Sequence, residues 1–157
     1  LSLREVKNFM YLGETSGFGR QDEFAFKMHD NNFDMLVVDV FHGDRPMTRQ
    51  AIETLKYKKV GAQRLVLAHM EIGCAAAYQY FWKSNWREGS PSWISSPHKD
   101  NPDKFYVQYW HPGWQSLIFG DTNSYVYGLI AQGFDGVVID GLEAYKFFLG
   151  GDDEEDQ

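Results

Sequence analysis

Apolar residues in this chain fall into short continuous runs, separated by polar stretches of longer period. FDMLVVDV (33–40), RLVLAHMEIG (64–73) and FDGVVIDG (134–141) are too continuously apolar for the strict alternation of a half-solvated sheet. They read as parallel strands covered on both faces. KNFMYLG (7–13) reads as a fourth, weaker strand. Between them, TRQAIETLKYKKVG (48–61) sets Ala51, Ile52, Leu55 and Val60 near helical spacing, with Thr48 as N-cap and Gly61 as stop. A second helix is predicted over Ser124 to Gln132, closed by Gly133, and EAYKFFLGG (143–151) begins a third. SNWREGSPSWISSPHKDNPDK (84–104) is rich in Pro, Ser and Asn and reads as a long loop, which in a compact domain is usually functional or mobile. The strand–helix alternation predicts an α/β fold with parallel strands and right-handed crossovers. One domain is expected over residues 1–150, and the acidic stretch 151–157 reads as a disordered tail.

Three of the strands end in acids at the same relative place: Asp39, Glu71 and Asp140. In parallel α/β folds the ligand sits beyond the carboxyl ends of the strands, so acids far apart in sequence can meet there. Each acid also has a plainer reading. Asp140 can cap the helix that starts near Glu143, and Asp39 can satisfy backbone donors in the VFHGD loop. Glu71, between Met70 and Ile72, faces inward or toward a ligand, and Glu143 reads as a first-turn acid that complements the helix dipole. Three acids at three strand ends favour a site for Asp140 over a cap.

Composition narrows the chemistry. Aromatic residues make up 17% of the chain, enough both to fill a core and to line a groove for a flat apolar ligand. The formal net charge is −7, but five of those negatives lie in the tail GDDEEDQ, leaving no basic stripe for nucleic acid. A single cysteine, Cys74, excludes an internal disulfide framework and a cysteine-based zinc site. His29, His42, His69, His98 and His111 are too scattered for a metal motif. His69 and Glu71, two apart on one strand, would make half of one at most, so neither metal nor cofactor is expected. No apolar run is long enough to span a membrane, and no signal peptide opens the chain.

GFDGVVIDGLEAY (133–145) resembles the strand-four signature of glycoside hydrolases of the endo-α-1,4-polygalactosaminidase type. FDMLVVDV, LKYKKVGAQRLVLAHMEIG, AAYQYFWKSNW and YVQYWHPGWQSLI follow that family's order, so the resemblance runs from about Val6 to Phe148. It implies a (β/α)8 TIM barrel of which this chain carries the first half, about four parallel strands with their helices. It implies hydrolysis of a galactosamine-rich polysaccharide, with Asp140 as a catalytic acid. Trp110 and Trp114 match a recurrent aromatic block suited to stacking on sugar rings, and Tyr109, Tyr11 and His69 join them as candidate substrate-binding residues. Glycoside hydrolysis ordinarily uses two carboxyl groups. Where the family runs into a Gly-Glu pair, this chain has Gly73, Cys74, Ala75 and Ala76, so Glu71 or Asp39 would have to supply the second, or another chain would. The alternative is a non-catalytic carbohydrate-binding or assembly module. The open edges of a half-barrel are expected to favour a homodimer or a second chain, and a polymer substrate fits a secreted or periplasmic address.

Overall fold

The computed structural model describes residues 2–149, apart from 44 and 80. The tail at 151–157 lies outside the described residues. In chain order the elements are β1 (Phe9–Leu12), α1 (Gln21–His29), β2 (Met35–Asp39), β3 (Phe41–His42), β4 (Arg45–Pro46), α2 (Arg49–Leu55), β5 (Leu65–Glu71) and β6 (Cys74–Ala76). There follow β7 (Ile94–His98), β8 (Asn101–Val107), α3 (Pro112–Phe119), α4 (Tyr125–Gln132), β9 (Gly136–Asp140) and α5 (Tyr145–Phe148). The protein is a mixed α/β chain built on a four-stranded parallel sheet in the order β1-β2-β5-β9, flanked by helices. The pairing runs in direct register, with Phe9 opposite Met35, Met35 opposite Leu65, and Asp39 opposite His69.

The described residues form two compact units. Those within Leu1–Met70 and Gly128–Val138 make the first, and those within Glu71–Tyr127 and Ile139–Gln157 the second. In the first, Leu36, Val38, Val66 and Ala68 are fully buried in the central strands, and Phe24, Ile52, Leu55 and Phe134 are buried in the same unit. Burial on both faces thus explains the continuous apolar runs of β2 and β5, whereas β9, expected to be covered likewise, is half-buried to exposed because it ends the strand order. The second unit holds a three-stranded antiparallel sheet, β6-β8-β7, over a core of Trp93, Ile94, Val107, Trp114 and Ile118.

Local chemistry sets the boundaries. Thr48 caps α2, its hydroxyl oxygen accepting the Ala51 N–H at 3.1 Å. Gly133, at φ 124°, closes α4 where only glycine is comfortable. Helix α2 ends at Leu55, short of the expected Gly61. Buried Arg64 donates to the carbonyls of Tyr57 (2.9 Å) and Asn31 (2.8 Å), so the chain leaves the helix to reach it. Gly61 instead sits at φ 86° in the turn that follows. Part of the expected loop at 84–104 is ordered as β7 and the start of β8. Its Pro97 is tolerated because β7 is an edge strand with a register shift at that residue.

Candidate functional site

The acids divide according to the end of the strand they occupy. At the amino ends, carboxylates serve the backbone. Asp34 accepts the Lys7 N–H at 2.9 Å and is bonded to Lys58, whose hydrogen bond leads the effects that hold the Asp34 carboxyl below its usual range. Asp135 accepts the Val66 N–H at 2.9 Å. These groups tie strands and turns together. Asp39, Glu71 and Asp140 are the last residues of β2, β5 and β9, at the end where parallel sheets carry their chemistry.

In the first unit, Asp39 lies directly across the sheet from His69, and the carboxylate Oδ1 is 3.4 Å from the ring Nδ1. The side chain of His69 is 19% exposed and that of Asp39 38%, so the pair is enclosed but reachable. Tyr11, on β1 at the far side of β2, meets the imidazole edge-on at 5.3 Å between ring centres. Three of the residues singled out in the sequence are therefore brought together here. The alternation along β5, with Ala68 and Met70 buried and His69 between them, is what turns the ring to this face.

In the second unit, Glu71 packs against the turn that follows Asp140. The Ile72 N–H donates to the Asp140 carbonyl at 2.8 Å, and the Asp140 carboxylate accepts the Gly141 N–H at 2.8 Å. A Cβ placed on Gly141, which stands at φ 82°, would fall 2.8 Å from Glu71 Cγ. One placed on Gly73 would fall 2.6 Å from the Gly141 carbonyl oxygen and would also strike Ala144. Two glycines thus let the two carboxylate-bearing strand ends close up. Asp140 is not the side-chain cap of the following 3-10 turn Leu142–Ala144; Gly141 holds that position, and Glu143 lies in the first turn as expected.

Lys104 on β8 completes this cluster, donating to Glu71 Oε2 at 3.0 Å. Burial disfavours the Lys104 ammonium, but the hydrogen bond and charge of Glu71 outweigh it and raise its pKa. Cys74 is buried beside them. Burial first, and the Glu71 charge second, push its thiol up to about 12, so it is neither nucleophile nor ligand near neutral pH. Cys74, Ala75 and Ala76 form the buried strand β6, which explains small apolar residues where the resembled family has a Gly-Glu pair. Among the described residues no three His, Cys, Asp or Glu side chains are grouped to hold a metal ion, and no helix is long and apolar enough to cross a membrane.

The aromatic candidates separate. Trp110 is 46% exposed, with Tyr109 and Phe148 packed in edge-to-face geometry with its ring. Trp114 is 1% exposed, packed against Phe81 and Trp93, with its indole N–H donated to the Ile72 carbonyl at 3.1 Å. It is a core residue that braces the end of β5, not a platform for a ligand. Tyr109 spends its hydroxyl on the Leu142 carbonyl at 2.8 Å and rests edge-on against Trp110.

No family model matches the chain. It is similar to an uncharacterized protein of Deinococcus radiodurans, 32% identical over 133 residues that make up 85% of this chain and 40% of that protein. Uncharacterized protein MJ1477 of Methanocaldococcus jannaschii is 29% identical over 136 residues, 86% of this chain and 36% of the relative. An uncharacterized protein of Thermotoga maritima is 25% identical over 128 residues, 82% and 38% of the two chains. The relatives named are uncharacterised. The chain spans about two fifths of the length of these curated relatives.

Sequence reasoning missed Lys104, because it sits in the Pro/Asn-rich stretch read as loop. The signal was present in DKFYV, where Lys104 and Tyr106 alternate with Phe105 and Val107 as on a strand.

Proposed function

We infer that this chain carries the first four strands of a (β/α)8 barrel of the endo-α-1,4-polygalactosaminidase type and serves in hydrolysis of a galactosamine-rich polysaccharide. The observation that carries the reading is the packing of Glu71 against the turn that follows Asp140, which gathers two carboxylate-bearing strand ends in one unit. Hydrolysis of a glycosidic bond asks for such a pair: one group to protonate the leaving oxygen, the other to act as base or nucleophile. The exposed ring of Trp110, in the same unit, supports sugar stacking. On this reading a second chain, another copy or a different one, extends the sheet beyond β9, and a secreted or periplasmic address suits the polymer substrate.

The test is release of reducing ends from partly deacetylated poly-α-galactosamine by the native chain, by Asp140→Asn and by Glu71→Gln. The reading expects release by the native chain and a loss of roughly a hundredfold or more in each variant. Binding of the polymer without release by the native chain would replace it with the carbohydrate-binding module. Neither binding nor release would remove both.

A further inference from the structure

Lys104 reaches Glu71 from a strand whose place is fixed on every side. On β8 it stands opposite Ala76 of β6, with Phe105 opposite Ala75 and Tyr106 opposite Cys74. Backbone bonds close that pairing before and after it: the Ala77 N–H donates to the Asp103 carbonyl at 2.8 Å, and the Val107 N–H to the Gly73 carbonyl at 3.0 Å. Rings pin the two faces of β8. Phe105 stacks on Trp82 at 5.2 Å between ring centres, and Tyr106 stacks on Phe147 at 4.1 Å. Strand alternation puts Lys104 on the Tyr106 face. The ammonium therefore meets Glu71 Oε2 at 3.0 Å from a rigid element, with side-chain exposures of 29% for Lys104 and 38% for Glu71. The buried Cys74 thiol is hydrogen-bonded to the same carboxylate. A carboxyl group that must protonate a leaving oxygen gains nothing from an ammonium against it. One that must stay anionic and in one place gains both.

We propose that Lys104 is the positioning residue of Glu71, holding its carboxylate fixed and anionic, so that Glu71 serves on the base or nucleophile side of the carboxylate pair and not as its acid. Lys104 itself neither gives nor takes a proton. Despite burial, the hydrogen bond and charge of Glu71 keep its pKa above the ordinary lysine value. For the chemistry of Glu71 the proposal rests on the hydrolase reading; the positioning does not.

On partly deacetylated poly-α-galactosamine, Lys104→Met should lower kcat about tenfold or more with KM little changed, and Lys104→Arg should recover most of that loss. Methylammonium should partly restore Lys104→Ala, where sodium chloride at equal ionic strength should not. Lys104→Met combined with Glu71→Gln should be no worse than Glu71→Gln alone. A raised KM with kcat intact makes Lys104 a substrate-binding residue and overturns the proposal. A loss of kcat that neither arginine nor methylammonium repairs marks a merely structural tie and overturns it too. Side-chain relaxation of 13C-labelled Glu71 needs no activity. Its γ-methylene should be ordered in the native chain and in Lys104→Arg, and mobile on the nanosecond scale in Lys104→Met. A Glu71 side chain equally ordered without the lysine overturns the proposal. If the native chain releases no reducing ends, the hydrolase reading and the anionic role fall together, and the order of Glu71 alone decides whether Lys104 positions it.

Discussion

Gly73 and Gly141 set how closely Glu71 approaches the turn after Asp140, and neither position leaves room for a methyl group. Gly73→Ala would drive a Cβ into the Gly141 carbonyl and Ala144, so a loss of about 1–3 kcal/mol is expected from the shift in urea midpoint. Cys74 adds a pH dependence. Its folded thiol is pushed up from 9.0 to about 12, so the stability it contributes is complete below 9 and is lost as pH rises through that window. The raised Lys104 ammonium acts in the same direction above its ordinary value of 10.5. Urea midpoints of the native chain should fall between pH 9 and 11, and less steeply in Cys74→Ala. At this scale the acids were legible, because a polar residue closing an apolar run has few places to go. Trp114 was not. Trp110 and Trp114 lie four apart in a single aromatic block, and sequence does not say that the first precedes α3 in the open while the second turns inward to the Ile72 carbonyl.

Capping chemistry was readable wherever one side chain decides it. Thr48 and Gly133 behave as their residue types require, and Thr48→Ala is expected to cost about 1 kcal/mol by urea unfolding because the Ala51 N–H loses its acceptor. Helix α1 left no clear trace. Its buried residues Phe24, Ala25 and Met28 share a face, but Phe26 stands exposed between them and blurs the apolar stripe. Its acids in the first turn and bases in the last were the better signal. The stretch 84–104 misled for a different reason. Proline and serine argue against a central strand, yet β7 lies at the edge of its sheet, where the missing N–H costs no ladder bond. The end of α2 depended on Arg64, whose carbonyl partners are Tyr57, just past the helix, and Asn31, 33 residues away.

For the molecule as a whole, the four strands and their parallel sense were legible from continuous apolar runs, while the antiparallel sheet of the second unit was not. β6 is only three residues long, and β7 and β8 carry the prolines that mark loops elsewhere. The edges of the parallel sheet carry a further expectation. β9 reads Val-Val-Ile and ends the strand order, and Ile139 is 39% exposed, an apolar edge of the kind that recruits another strand. The chain should therefore gain mass with concentration in sedimentation equilibrium, and Ile139→Lys should hold it monomeric. The place of β9 in the sheet also bears on the order in which a ribosome delivers the chain. β2 and β5 can pair as soon as both have emerged, but the other side of β5 is satisfied only when Asp135 arrives 69 residues after Val66. During synthesis the central strand must wait with one side open. Nascent chains halted before residue 134 are the ones for which a trigger-type chaperone would matter most.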